Sequence, residues 1–319
     1  MIPSVSSPKI CFKYSIQPFE VCNTGKTGLR FFKYRTYLIY LTSMAGLLFG
    51  TAGIPYSTPK HTTQNGIHRV AELGLDGMEI EFVRGVYMKA PDTNPVRILS
   101  DLLRIKLSAH APYYLNFNAV EENKVKMSQH LLYQSAKMAH LCGAGSLVFH
   151  PGFYLTDSPS AAYESIRDNI RPVASRLQEE GFDITLRPEV SGKVTQFGDL
   201  KETMALCSEI PGLLPTIDFS HYHARTGKYN SYSEFSFMLS TMVDYLGENA
   251  VLNMHIHVSG IDYSPRGEKQ HLNLADSDFN YKELLLALRD RGCAGLVICE
   301  SPNIEEDALL LKETYFSLA

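Results

Sequence analysis

At 319 residues, with 45% hydrophobic and 20% charged residues, the chain has an ordinary globular composition and room for one large domain or two smaller ones. A net charge of −4 and a pI near 6.3 exclude a global basic field for polyanions, so contact with nucleic acid would need a local basic or metal-rich face. The six cysteines form no CxxC pair and read as small buried thiols in a reducing, cytoplasmic compartment.

Residues 1–45 read as an N-terminal extension. The first 43 hold six Lys/Arg against a single acid, Glu20, with aromatic-rich patches such as "RFFKYRTYLIYL". The weakly apolar stretch 36–54 is broken by Thr, Ser and Gly and lies far from the terminus, so neither a membrane span nor a secretory signal is expected. Met44 is the expected start of the natural protein.

From residue 46 onward, short apolar runs alternate with longer amphipathic ones, the pattern of βα units and a parallel sheet. Strands are predicted at Leu47–Gly50, Gly77–Phe82, Leu107–Ala111, Ser146–His150, Asp183–Glu189, Leu214–Asp218, Ala250–Val258 and Gly295–Glu300. Helices are predicted at 61–73, 94–104, 122–142, 158–180, 198–208, 231–246, 280–291 and 304–316. Several predicted helices end on a glycine ("AELG", "LCGAG", "EEGF", "DRGCAG") where a left-handed residue closes the last turn. Eight strict alternations match a (β/α)8 TIM barrel, a single domain over residues 46–319. A doubly wound open sheet is disfavoured because "GTAGIPYSTPK" after the first strand is no phosphate-binding glycine loop, and no nucleotide cofactor is expected.

In such a barrel the C-terminal strand ends converge on one face. Those ends read "SAHAPY" (His110), "LVFHPG" (His150), "LRPEVSG" (Glu189), "TIDFSH" (Asp218, His221), "NMHIHVSG" (His255, His257) and "VICESPN" (Glu300). The loop after strand seven adds "RGEKQHLNL", with Glu268 and His271. Seven of the eleven histidines fall at these ends or just beyond, including His223. No strand-end Lys or Arg balances the acids, so this many groups cannot satisfy one another. Divalent metal resolves the excess, and more than seven ligands imply two or three ions. Neighbouring ions of this kind serve displacement at phosphorus.

As an ordered set, "SAHAPY", "VFHPG", "PEVSGK…FG", "IDFSH", "MHIHVSG", "HLNL" (271–274) and "ICESP" resemble the endonuclease IV family of apurinic/apyrimidinic (AP) endonucleases, over residues 46–317. The resemblance implies a TIM barrel with three Zn²⁺ ions, Mn²⁺ replacing zinc in part. It also implies a cytoplasmic monomer that acts on damaged double-stranded DNA, cutting it 5′ to an abasic site, with no membrane partner. It would place His110 and His150 on the first ion and Glu189 as a bridge to the second. Asp218, the strand-seven histidine (His255 or His257) and Glu300 would complete the second ion. His221 and His271 would hold the third, with an acid of the "RGEKQH" loop, Glu268. Glu189 and Glu300 become the catalytic carboxylates. Tyr113 and Tyr114 match the side chains the family pushes into the helix beside the lesion. The chain departs from the family pattern at Glu189-Val190-Ser191-Gly192-Lys193 (usually Glu-Asn-Thr-Ala-Gly) and at Asp-Phe-Ser-His (usually Asp-Thr-Cys-His). It departs again at Glu268-x-x-His271, where the family has Asp-x-His. Bulky Val190 and Phe219, near the metals, are expected to reshape the groove. Two other functions fit parts of the set: a single-metal sugar isomerase or epimerase, and a damaged-DNA binder without turnover.

Overall fold

The structure, a computed structural model, describes residues 46–318; the expected extension over 1–45 lies outside them. Eight parallel strands make one sheet: β1 (Leu47–Ala52), β2 (Gly77–Glu81), β3 (Lys106–His110), β4 (Ser146–Phe149), β5 (Thr185–Pro188), β6 (Thr216–Asp218), β7 (Met254–Val258) and, last in the chain, β10 (Gly295–Cys299). They lie in the order β5-β4-β3-β2-β1-β10-β7-β6. The two outer strands meet through bridges at Leu186–Leu213 and Glu189–Thr216, where the Val190 N–H donates to the Thr216 carbonyl at 3.1 Å. These bonds close the sheet into the predicted TIM barrel.

The helices α1 (Thr63–Glu72), α2 (Ala90–Leu103), α3 (Glu122–Leu141), α4 (Pro159–Glu179), α5 (Leu200–Glu209), α7 (Tyr232–Leu246), α8 (Tyr281–Asp290) and α9 (Glu305–Ser317) alternate with the strands. Side-chain caps start several of them: Thr62 on α1, Ser158 on α4, and Asp199 on α5 in a reciprocal capping box with Glu202. The predicted glycine stops hold at Gly74 and Gly181, whose φ of +72° and +76° an L side chain would strain. Strand faces turned outward pack against the helices around fully buried Phe49, Phe149, Phe197, Phe219 and Phe235, each contributing roughly 1.5–3 kcal/mol by burial. Among the described residues no helix is long and apolar enough to cross a membrane.

Two elements are additional to the predicted alternation. Helix α6 (Phe219–Thr226) starts directly at the end of β6. A hairpin, β8 (Gly260–Ser264) and β9 (Gly267–Leu272), follows β7. Both stand at the C-terminal end of the barrel and both carry predicted site residues.

Candidate metal centre

Glu189, just past β5, is 1% exposed and lies at the middle of the strand-end groups. Its Oε2 is 3.1 Å from His110 Nε2 and 3.4 Å from His150 Nε2. Its Oε1 is 3.0 Å from His221 Nδ1 and 3.4 Å from His257 Nδ1. Glu300, past β10, brings Oε1 to 3.3 Å from the same His257 nitrogen. One carboxylate therefore faces four imidazoles, two on each oxygen.

The local chain explains why "DFSH" delivers two groups to one place. Asp218 is the N-cap of α6 and accepts from the His221 backbone N–H at 2.6 Å through Oδ1. His221 is then the third helical residue, and its Nδ1 sits 3.2 Å from the free Asp218 Oδ2. Ser220 is buried and clamps the end of β7: its hydroxyl donates to the Ser259 carbonyl at 2.8 Å and accepts from the Ser259 N–H at 2.9 Å. Phe219 packs edge-on against Phe235 in the outer core, and Val190 is fully buried in that core. The expectation that these two shape the groove is corrected: both turn away from the site.

The altered spacing of Glu268-x-x-His271 is absorbed by a bulge. Tyr263 pairs with Glu268 and Asp262 with Gln270, so Lys269 is an extra residue in β9. With that residue looped out, Glu268 and His271 share one face despite standing three apart. His271 Nε2 reaches 3.0 Å from His221 Nε2, and Glu268 Oε2 reaches 3.6 Å. Gly192 makes room for this approach, because a Cβ there would lie 2.7 Å from Glu268 Oε2 and 3.0 Å from the His221 ring.

The two strand-seven histidines point the same way at different depths. His257 joins Glu189 and Glu300, while His255 lies one layer deeper with Nε2 2.9 Å from Glu79 Oε2. His255 is thus outside the group around Glu189. His223 faces elsewhere: its Nδ1 lies 2.8 Å from the Lys228 carbonyl and its Nε2 3.3 Å from Asp278, tying α6 to the segment before α8. Two acids on β2 escaped the sequence reading. Glu79 contacts both His255 and His257, and the half-buried Glu81 turns toward the same cluster. The signal was present in "GMEIE": carboxylates two apart at a strand end share a face.

Five carboxylates (Glu79, Glu81, Glu189, Asp218, Glu300) are thus gathered without a Lys or Arg ion pair among the described residues. Burial, reinforced by neighbouring carboxylates, pushes both Asp218 and Glu81 up to about 8. Burial alone would lower His110, but contact with Glu189 carries it to about 10. Burial opposes protonation of His221 and His257 as well, yet Asp218 in the first case and Glu300 in the second hold them well above the histidine range. Burial takes His150 down to about 4 against the pull of Glu189. In the metal-free chain, protons supply the positive charge the acids need.

Cation ligation fits this donor set better than protons do. Glu189 Oε1, Asp218 Oδ2, His221 Nδ1, His257 Nδ1 and Glu300 Oε2 are buried with no well-formed hydrogen bond. Such orphans each cost about 1–3 kcal/mol or more when charged. Ligand atoms from His110, His150 and Glu189 lie within 4.8 Å of one another, as do those from Glu189, Asp218, His221 and Glu300, and those from His221, His271 and Glu300. Opposite nitrogens are fixed in two of the rings: His110 Nδ1 lies 2.8 Å from the Ala111 carbonyl and His271 Nδ1 3.1 Å from that of Glu300. Each acceptor leaves Nε2 aimed into the cluster.

Tyr113 and Tyr114, in the loop after β3, are 61% and 46% exposed with rings edge to face at 5.4 Å. Tyr56 and Tyr87, in the loops after β1 and β2, are also exposed on this rim. Arg84, Lys193 and Arg266 stand exposed in loops at the same end.

Residues 67–314 match the family described as a xylose isomerase-like TIM barrel. An uncharacterized protein of Methanocaldococcus jannaschii is 45% identical over 273 residues, 85% of this chain and 98% of its own. Among solved structures, a D-tagatose 3-epimerase-like protein aligns with a TM-score of 0.66 at 20% identity, over 84% of this chain and 97% of its own. Endonuclease IV from Thermus thermophilus aligns at 0.65 and 19% identity, over 84% and 98%. At these identities both likenesses are of fold.

Proposed function

The chain belongs to the xylose isomerase-like TIM barrel family, and from that premise we propose that it is a metal-dependent phosphodiesterase of the endonuclease IV kind, cutting double-stranded DNA 5′ to abasic sites. The observation that carries this reading is Glu189 with two imidazoles on each oxygen. A single-metal epimerase centre needs only Glu189, Asp218, His257 and Glu300; it leaves His110, His150, His221 and His271 without a purpose. In the proposed centre His110, His150 and Glu189 hold one ion, and Glu189, Asp218, His257 and Glu300 a second. His221, Glu268 and His271 hold the third. When bound, zinc ions at such a site activate water and neutralise charge on phosphate oxygens.

The remaining residues serve the substrate. Every barrel helix begins at the C-terminal end of the strands, so helix N-termini surround the site and favour a polyanion despite the negative net charge. Arg84, Lys193 and Arg266 add local positive charge for the backbone. Tyr113 and Tyr114 can enter the stack where a base is already missing and unstacking costs least.

The test joins metal analysis to cleavage of a duplex bearing one abasic analogue. Three ions per chain with a nick 5′ to the lesion is the expected result. One ion without a nick overturns it in favour of an isomerase, and two ions with binding but no nick point to a damage binder.

A further inference from the structure

Beneath the site, the barrel interior holds an acid that is fully buried on β2. Glu79 Oε2 accepts from the Ser108 hydroxyl at 2.7 Å and lies 2.9 Å from His255 Nε2; Oε1 lies 3.1 Å from His257 Nε2. His257 turns its other nitrogen, Nδ1, to Glu189 and Glu300. A neutral imidazole carries one proton and presents one lone pair, and a carboxylate beside one nitrogen takes the N–H there. We propose that Glu79 is a positioning residue: held by Ser108 and His255, it keeps the His257 proton on Nε2 and the ring in place, so that Nδ1 is bare toward Glu189 and Glu300. This role rests on the reading that an ion binds between those carboxylates.

The surroundings suit a fixed acceptor. Burial would raise Glu79, but His257 and His255 hold it well below the usual carboxylate range. Burial takes His255 down to about 4, against the pull of Glu79, so this ring stays neutral. Glu79, an acceptor for Ser108 and His255, sets its other oxygen 3.1 Å from His257 Nε2, and its charge there makes the far nitrogen of His257 a stronger donor to a cation.

The experiment loads the full-length chain with Co²⁺ and reads ions per chain, affinity by chelator competition, and the visible absorption of the bound ion. Glu79→Ala is expected to weaken one ion by about 10- to 100-fold and alter its spectrum. Glu79→Gln, which keeps one acceptor, should recover part of that loss, and in both variants the other ions keep wild-type affinity even where the orphaned Ser108 and His255 lower metal-free melting. A merely structural acid would weaken every ion together. Should Glu79→Ala fail to fold, Ser108→Ala is expected to weaken the same ion to a smaller degree. Wild-type affinity and spectrum in the Glu79 variants, or in Ser108→Ala where that variant must stand in for them, overturn the proposal. So does a His255→Ala chain that loses one whole ion with the other signals intact, since Glu79 would then be a ligand of its own ion. A wild-type chain that binds no ion refutes the metal reading itself, and the positioning role with it.

Discussion

Glu189 is the residue whose loss no neighbour can cover, because four imidazole nitrogens approach its two oxygens within 3.0–3.4 Å. Glu189→Gln keeps the shape and removes the charge. We expect it to lower both metal content and DNA nicking, the latter by at least about 100-fold, the upper range for losing even an outer partner of a metal ligand. Near wild-type nicking by a folded Glu189→Gln chain would refute the bridging role. At this scale the sequence was informative wherever one position per strand decides the answer: His110, His150, Glu189, Asp218 and Glu300 were found as strand ends. It could not rank His255 against His257, because side-chain alternation gives direction and not depth. It missed Glu79 and Glu81 because acids next to a "VRG" loop look like a solvated strand end until the barrel closes over them.

Elements decide what happens between strands, and there the sequence was less legible. Helix α6 is hard to see in the sequence because its cap, Asp218, also reads as the end of a strand; one residue ends β6 and starts the helix. The hairpin β8–β9 was hidden by "SPRGEKQ", whose turn residues mask two short polar strands. Its bulge at Lys269 explains how Glu268-x-x-His271 can replace a two-residue spacing. Deleting Lys269 should therefore remove the bulge while leaving Glu268 and His271 on one face. The expected outcome is an unchanged ion count, whereas inserting one alanine after Lys269 with the bulge kept leaves an odd effective spacing, turns His271 away and loses an ion. Equal metal content in the deletion and insertion chains would contradict this register argument.

For the whole molecule, the proton load of the metal-free site sets how stability should depend on pH. Asp218 and Glu81, raised to about 8, hold protons that unfolding releases, so above their ordinary values a rise in pH favours unfolding up to about 8. His110, raised to about 10, acts in the same sense: its contribution is complete below the ordinary histidine value and is lost as pH climbs through 10. His150 and His255, lowered to about 4, act oppositely and only below the ordinary histidine value, where the unfolded chain gains protons first. The two effects offset each other in mild acid, and only the first survives above about pH 6.5. Metal-free chain should thus melt lower at pH 8 than at pH 6.5, by at least about 5 °C, given ~1.4 kcal/mol per pH unit per group and about 2–4 °C per kcal/mol for a domain of this size. Zinc replaces those protons, so its stabilisation should grow over the same interval, and nicking should fall as acid returns protons to the ligands. Thermal melts with chelator and with Zn²⁺ at both pH values check this. A chelated sample that melts higher at pH 8 would mean that the buried acids are already balanced by something other than protons, and the case for cations at this face would lose its electrostatic ground.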